Sequence, residues 1–264
     1  MKIIGEKING TRKRVAKSIA ERDVDFIKDL AIKQAEAGST WLDVNAGTHP
    51  DQEPEDLIWL IETIQPEVEI PLCLDSANPK ALEVAIQAVN QTPMINSISG
   101  EPERLEKILP LVAKHGCEVI ALALDDKKIP ETYEKRLEVI DLVMNATRAA
   151  GVPDDKVYVD PLAMTIATAN QSAVMACETI RTVKAQYPEV HFTMGLSNIS
   201  FGLPARKQIN RAFLTLAMQA GLDSAILDPL DRELQAAILT TELLLGKDKH
   251  CLNYVRASRK GIFD

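Results

Sequence analysis

Short apolar runs rich in β-branched residues alternate with longer amphipathic stretches along the whole chain. Each run is four to seven residues long, which is typical of a strand whose two faces are both buried. The pattern predicts eight strands, at residues 2–5, 40–45, 70–75, 92–97, 118–124, 156–160, 190–195 and 224–228.

The stretches between these strands have apolar residues at spacings of three and four, which predicts helices with one buried face. The first is predicted over residues 24–35 and ends before Gly38, since glycine commonly ends a helix. The other predicted helices cover residues 57–64, 79–89, 102–115, 132–150, 172–187, 207–220 and 232–245. Residues 247–264 are polar with scattered apolar positions and are expected to pack as a tail.

Eight strand–helix units in 264 residues match the number and size of a (β/α)8 TIM barrel. A doubly wound open sheet is the alternative. Such a sheet usually has fewer strands in one domain, and no Gly-x-Gly-x-x-Gly motif follows the first predicted strand. Because no Ser/Gly-rich linker divides the chain, we predict a single domain over residues 1–264.

The net charge of −8 argues against nucleic acid as a general partner, because binding to phosphates needs a basic surface. No apolar run is long enough to cross a membrane, and the N-terminus does not resemble a signal peptide. We therefore expect a cytoplasmic protein without a membrane partner. The four cysteines form no Cys-x-x-Cys pair, so neither a disulfide framework nor a zinc site is predicted.

Polar residues collect where the predicted strands end, which in a barrel is the face that carries the active site. These residues are Glu6, Asn9, Asp43, Asn45, Asp75, Asn96, Ser97, Asp125, Asp126, Asp160, Ser197, Asn198 and Asp228. Capping of the following helix is a strong alternative explanation for Asp125, Asp126 and Asp228. It is weaker for Asp75 and Asp160, because Asp is disfavoured in strands and Asn96 would face the same mouth.

The strand ends have no His-x-His or His-Glu-x-x-His motif for a metal, and no predicted strand ends in Lys. No Gly-rich phosphate loop follows the last two strands. A pocket of Asp, Asn and Ser suits a neutral, flat heterocycle. An aminopyrimidinone edge is such a group, since carboxylates accept from its N–H donors and amides both donate and accept.

Six segments in order resemble the pterin-binding methyltransferases: IGEKIN (4–9), LDVN (42–45), LDS (74–76), INS (95–97), DP (160–161) and GLSNISFGLP (195–204). This family includes methyltetrahydrofolate:corrinoid protein methyltransferases and the folate-binding module of cobalamin-dependent methionine synthase. Its fold is a TIM barrel of the dihydropteroate synthase type. The resemblance covers nearly the whole chain, and each segment lies at a predicted strand end.

The resemblance implies roles for individual residues. Asn198 matches the asparagine that hydrogen-bonds N5, the pterin nitrogen that carries the methyl group. The implied substrate-binding residues are Asp75, Asn96, Asp160, Gly195, Ser197 and, near the pocket mouth, Arg206. Phe201 departs from the acetogenic branch, which has a polar residue there, and is closer to the methionine synthase type.

The implied reaction is methyl transfer between N5 of tetrahydrofolate and the cobalt of a corrinoid. Tetrahydrofolate and 5-methyltetrahydrofolate would be substrate and product, in either direction. The chain has no Asp-x-His-x-x-Gly, the cobalt-ligating signature of corrinoid modules, so a separate corrinoid-binding protein must dock transiently. The family also makes a homodimer the expected assembly. A condensation enzyme of the dihydropteroate synthase type and a non-catalytic folate-binding module are the alternatives.

Overall fold

Eight strands, each parallel to its neighbours, form one barrel in the computed structural model, which describes residues 1–126 and 129–263. They are β1 Lys2–Asn9, β2 Trp41–Asn45, β3 Leu72–Asp75, β4 Met94–Ile98, β5 Glu118–Leu122, β6 Val157–Asp160, β7 His191–Phe192 and β8 Ser224–Leu227. The sheet order is β7-β6-β5-β4-β3-β2-β1-β8. The N–H of Ile226 donates to the carbonyl of Met194, just beyond β7, at 2.9 Å. This bond joins the two outer strands, and the predicted (β/α)8 barrel is confirmed.

Helices surround the barrel. They are α1 Lys13–Glu21, α2 Val24–Glu36, α3 Glu53–Ile64, α4 Pro79–Ala88, α5 Pro102–Lys107, α6 Leu109–His115, α7 Tyr133–Ala149, α8 Ser172–Gln186, α9 Arg206–Ala220, α10 Arg232–Leu244 and α11 Leu252–Arg259. Short 3-10 turns lie at Asp154–Lys156, Leu196–Ser200 and Lys249–Cys251. In the part of the chain that the structure describes, no helix has both the length and the apolar character needed to cross a bilayer.

The first strand is longer than the prediction of residues 2–5. Its pairing with β2 continues beyond a register shift between Gly5 and Ile8, so Glu6 and Asn9 lie within β1 and not after it. At the shift, the N–H of Lys7 donates to the side chain of Gln34 at 3.0 Å instead of to a neighbouring strand. This irregularity is a β-bulge, which places polar side chains inside a strand.

The helical segments also differ from the prediction in three places. The single helix predicted over 102–115 is two helices that meet at Ile108, because Pro110 lacks an N–H and its ring excludes the carbonyl four residues earlier. Helix α1 was not predicted. The predicted tail contains α11, whose Ala257 is buried against the domain.

Two layers of apolar residues form the core, because successive strand residues face opposite sides of the sheet. The outer layer lies between the barrel and the helices and includes Leu42, Leu74, Ile95 and Val159. The inner layer fills the barrel with Ile4, Trp41, Cys73, Met94, Ile120 and Tyr158. Two residues beyond four of these inner positions are Asp43, Asp75, Asn96 and Asp160. The strand period therefore directs these four side chains into the same end of the barrel.

A polar network closes the opposite end of the barrel, where the strands begin. The hydroxyl of Tyr158 accepts from Lys2 Nζ at 2.6 Å and donates to Glu118 at 3.1 Å. The Lys2 ammonium also lies 5.2 Å from the ring of Trp41 and 5.1 Å from that of Tyr158. Polar groups therefore cover the inner apolar layer at this end of the barrel.

Tyr158→Phe is expected to lower the free energy of unfolding by about 1 kcal/mol. The ring packing is kept, but the hydrogen bonds to Lys2 and Glu118 are lost, and water can replace them at both partners. Urea unfolding monitored by circular dichroism measures the change. Tyr254→Phe is the matched control, since the Tyr254 hydroxyl has no hydrogen-bond partner within residues 1–126 and 129–263. Equal stability of the two variants would contradict a role for the Tyr158 network.

Candidate active site

Two carboxyl–amide pairs lie side by side at the ends of β2, β3 and β4. Asp75 and Asn96 are register partners in neighbouring strands. Asn96 Nδ2 donates to Asp43 Oδ1 at 3.1 Å, and Asn45 Nδ2 donates to Asp75 Oδ2 at 2.9 Å. Asn45 is therefore oriented by a carboxyl group of the adjacent strand β3, and Asn96 by one of β2, across the intervening β3. The remaining oxygens are acceptors for a ligand in the barrel mouth.

Burial controls the ionisation of this pair of carboxyl groups. It raises the pKa of Asp43 well above its ordinary value, and the nearby charge of Asp75 raises it further; hydrogen bonds from Asn96 and the Cys73 thiol only partly offset this. Burial also raises the pKa of Asp75, against the hydrogen bond from Asn45. Asp43 is the carboxyl group that retains its proton more strongly. Asp75 is consequently the more readily ionised of the two and the better acceptor for a ligand that brings N–H donors.

Asp160 lies at the end of β6 and is 8% exposed. Its Oδ1 accepts the N–H of Leu162 at 2.8 Å, and the carboxylate also accepts the N–H of Gly195 beyond β7. Burial raises the pKa of Asp160 to about 6, although these two N–H groups and the charge of Arg136 act in the opposite direction. A buried carboxylate that is fixed by two backbone groups is well suited to orient a bound ring.

Arg136 on α7 supports this segment from below. It is 2% exposed, and its guanidinium donates to the carbonyls of Pro161, Leu162 and Pro130. Leu162 has the left-handed φ of 56°, a conformation that needs such support in a residue other than glycine. The sequence analysis missed Arg136. The signal was present, because Arg136 lies on the apolar face of the predicted helix 132–150, three and four residues before the buried Val139 and Ile140.

Asn198 lies on the 3-10 turn Leu196–Ser200, which follows the short strand β7. Its side chain is exposed at the barrel mouth. A Cβ atom on Gly195 would lie 3.0 Å from Asn198 Nδ2, so the absence of a side chain at position 195 leaves room for the amide. The predicted strand 190–195 is thus only two residues long, and the residues after it carry Asn198 on a compact turn.

Arg206, the first residue of α9, holds this turn. Its Nη2 donates to the carbonyl of Ser197 at 2.7 Å and its Nε to Ser200 Oγ at 3.0 Å. These contacts join the guanidinium to the protein and not to the open part of the mouth. The geometry makes Arg206 a support for the Asn198 turn, and the substrate-binding role that the resemblance implied for it stays a prediction.

The predicted site residues fall into two groups in the structure, one at the strand ends and one on the turn after β7. Asp75, Asn96 and Asp160 point into the barrel, and Gly195 joins the turn of Ser197 and Asn198 to Asp160 through its N–H. The sequence analysis placed Asp43 and Asn45 at strand ends without assigning them a role. The structure makes them the hydrogen-bond partners of Asn96 and Asp75. Pairing across strands is a long-range property, which no local signal at these two positions indicates.

Two cations at the end of β1 are neutralised by carboxylates. Lys7 Nζ lies 2.7 Å from Asp228 Oδ2, and Arg12 Nη2 lies 2.8 Å from Glu6 Oε1. Asp228 also accepts the N–H of Leu230 at 3.0 Å, as predicted for a residue that caps the following segment. The paired charges make this side of the mouth a poor binding site for a polyanion.

A cavity of about 600 Å³ lies between the segments that follow β5 and β6. Its lining includes Pro130, Met164, Met175 and Arg136. Arg136 is therefore shared between this cavity and the support of Asp160, but Asp160 itself does not line the cavity. The polar groups of the barrel mouth form a separate site.

Comparisons with known proteins identify the family of this chain. Residues 5–228 match the family model described as pterin binding enzyme. The chain is 42% identical to the methylcorrinoid:tetrahydrofolate methyltransferase of Eubacterium limosum over 99% of its length and 97% of that protein. It is 32% identical to a methionine synthase of Mycobacterium tuberculosis over 85% of this chain but only 20% of that longer protein.

A solved dihydropteroate synthase of Xanthomonas albilineans, in a structure with 4-aminobenzoic acid, is similar in fold with a TM-score of 0.68. The alignment covers 92% of this chain and 93% of that structure, at 18% identity. At this identity the likeness supports the barrel architecture alone. The family match and the near full-length relative go further, and the chain belongs to the pterin-binding enzyme family.

Proposed function

We propose that residues 1–264 form one domain that transfers a methyl group between the cobalt of a corrinoid and N5 of tetrahydrofolate. The observation that carries this proposal is the 42% identity to the Eubacterium limosum methyltransferase over 99% of the chain. The corrinoid is a substrate that arrives on a separate, transiently bound protein. The predicted homodimer and cytoplasmic location stay predictions, and sedimentation of the purified chain tests the first.

Asp75, Asn96 and Asp160 would hold the pterin ring. The amino group and ring N–H of an aminopyrimidinone are adjacent donors, and carboxylate oxygens are the matching acceptors. Asp160 is suited to this role because two backbone N–H groups fix its orientation before the ring binds. Asn96 and Asp75 are fixed in the same way by Asp43 and Asn45. A ring held at three fixed points presents N5 in one position, which is a positioning contribution to catalysis.

Asn198 would hydrogen-bond N5. In transfer to folate, the N5 lone pair forms the bond to the methyl carbon while the electron pair of the carbon–cobalt bond stays with cobalt; N5 then releases its proton to solvent. The Asn198 amide accepts from N5–H as positive charge develops there. In the reverse direction N5 first takes up a proton from solvent. The electron pair of cobalt then forms the bond to the methyl carbon while the carbon–N5 electron pair returns to N5, and the Asn198 amide accepts from the same N5–H. A neutral amide that binds N5 more tightly as its charge changes stabilises the transition state more than the ground state.

The dihydropteroate synthase reaction is the alternative within this fold. That reaction releases pyrophosphate, which needs free cationic groups at the mouth. Lys7 and Arg12 are engaged with Asp228 and Glu6, and Arg206 is engaged with the Asn198 turn. The charge pattern therefore supports methyl transfer over condensation.

The direct test mixes the purified protein with free methylcobalamin and tetrahydrofolate. We expect loss of the methylcobalamin absorbance, with 5-methyltetrahydrofolate appearing in equal amount by liquid chromatography. A second reaction contains pterin pyrophosphate and p-aminobenzoate. Product in the second reaction alone would establish the synthase. Binding of 5-methyltetrahydrofolate without turnover in either reaction would establish a non-catalytic folate-binding module.

Gly195→Ala is expected to lower the rate of methyl transfer about tenfold, because the new methyl group displaces the Asn198 amide by a few tenths of an ångström. The φ of Gly195 is −69°, which alanine adopts without strain, so the unfolding temperature should be unchanged. Affinity for 5-methyltetrahydrofolate, measured by calorimetry, should change less than about threefold. A wild-type rate in this variant would show that the position of the amide is not critical.

A further inference from the structure

Phe201 is a large aromatic residue that the fold leaves 68% exposed on a fixed backbone. Its N–H donates to the carbonyl of Asn198 at 3.1 Å, and its carbonyl accepts from Thr165 Oγ1 at 2.6 Å. Thr165 belongs to the segment after β6, so the Phe201 backbone is tied to two neighbouring strand ends. The backbone that carries the exposed ring is therefore fixed at both its N–H and its carbonyl.

The ring also has a defined neighbour on one side. The Arg206 guanidinium carbon lies 5.9 Å from the centre of the Phe201 ring, within the range of a cation–π contact. The same guanidinium holds the turn that carries Asn198. One face of the ring is thus supported by the turn, and the rest is open to solvent at the barrel mouth.

Single exposed apolar residues are common and need no explanation by themselves. Phe201 differs in its position, three residues after the amide that would hydrogen-bond N5. Methyl transfer requires the cobalt in line with N5 and the methyl carbon, at about 3–3.5 Å from the carbon it attacks or has just left. A corrin macrocycle is wider than the pterin beneath it, so its edge must extend over the residues that border N5.

We propose that Phe201 is a contact residue for the corrin macrocycle. Its ring would pack against the apolar edge of the macrocycle when the cobalt reaches the methyl group that is transferred. This inference rests on the proposed function. The contact has a chemical basis, because an aromatic ring buries a large apolar area at a low cost in conformational entropy. Arg206 would support one face of the Phe201 ring, and the macrocycle would cover the exposed face of the ring.

Steady-state kinetics with free methylcobalamin as the varied substrate and saturating tetrahydrofolate test this contact. Phe201→Ala is expected to raise the KM for methylcobalamin about 5- to 20-fold, in the range found when a buried aromatic contact is removed. The kcat should stay within about threefold, and the Kd for 5-methyltetrahydrofolate within about twofold, because Asn198 and the pterin site are unchanged. Phe201→Trp should restore the wild-type KM.

Leu244→Ala is the matched control. Leu244 is 77% exposed and lies at the end of α10 that is remote from the barrel mouth, so its variant should have wild-type kinetics. An unchanged KM for methylcobalamin in Phe201→Ala would overturn the inference. So would a loss of folate affinity as large as the rise in KM, since Phe201 would then act on the pterin site. Absence of methyl transfer in the wild-type protein would instead refute the proposed function itself, and the inference with it.

Discussion

Replacing Asn198 with alanine is expected to lower methyl transfer about 10²- to 10³-fold, while the affinity for 5-methyltetrahydrofolate falls less than about tenfold. The amide is neutral and its hydrogen bond to N5 strengthens only as the charge on N5 changes, so its loss is felt mainly in the transition state. The carboxyl groups that would hold the ring remain in place. Single-turnover rates and calorimetric titration measure the two quantities separately.

Asn145→Ala is the matched control for this prediction, because Asn145 is an exposed amide on α7 outside the strand-end face. It should leave both the rate and the affinity unchanged. Asn198→Ala also exposes no new apolar surface in the core, so its unfolding temperature should match the wild type. Unchanged turnover in Asn198→Ala would refute the role of the amide and leave the mechanism without a group at N5.

Replacing Asp160 with asparagine is expected to weaken binding of 5-methyltetrahydrofolate about 10- to 100-fold. Asparagine retains one acceptor but introduces two N–H donors, and these would face the donors of the pterin ring or the N–H groups of Leu162 and Gly195. Calorimetric titration at pH 7.5 measures the loss. Asp154→Asn, at the other end of β6, removes a carboxylate from an ion pair with Arg148 and should not change folate affinity.

The ionisation of Asp160 adds a dependence on pH to both binding and stability. Its pKa of about 6 lies above the ordinary value of 3.8, so the folded protein binds this proton more tightly than the unfolded chain. The contribution to stability is therefore largest below about pH 4 and declines by up to about 3 kcal/mol as the pH rises through 6. Asp160→Asn should show a smaller decline than the wild type in urea unfolding measured between pH 4 and 7, because the raised pKa values of Asp43 and Asp75 remain in the variant.

Folate affinity should show the opposite trend, because the acceptor is lost when Asp160 is protonated. We expect the wild-type affinity to fall as the pH drops below about 6, and the affinity of Asp160→Asn to fall less steeply, because Asp75 still titrates in the variant. Calorimetry from pH 5 to 7.5 on the two proteins compares them. Parallel curves for wild type and variant would show that Asp160 does not contact the ring donors.

The barrel could be predicted from the sequence because each strand is buried on both faces and each helix on one, and these two patterns differ in period. The same argument located Asp75, Asn96 and Asp160, since a polar residue at the end of a buried strand lies close to the barrel mouth. The break at Pro110 follows a local rule and was also open to prediction. The extension of β1 was not, because it depends on a bulge whose freed N–H is accepted by Gln34 on another element.

The support of the site could not be predicted in the same way. The contacts of Arg136 with the Pro161 segment and of Arg206 with the Asn198 turn join residues whose sequence neighbours give no sign of the partner. The contact of Met194, just beyond β7, with Ile226 of β8 closes the barrel and is a property of the whole sheet. The reaction itself came from the resemblance of six segments to a known family, because Asp, Asn and Ser alone indicate only a polar heterocycle.

Asp160 accepts the N–H of Gly195, and this contact joins residues 160–162 to residues 195–200. The N–H of Ile166 also donates to the carbonyl of Ile199 at 3.0 Å, so the group that would hold the ring and the amide that would contact N5 are positioned by connected segments. For protein engineering this means that neither segment is a portable module. Introducing an asparagine at the position of Asn198 in another barrel would supply the amide without its position relative to the carboxylate that holds the ring. Both segments must be exchanged together to transfer the activity.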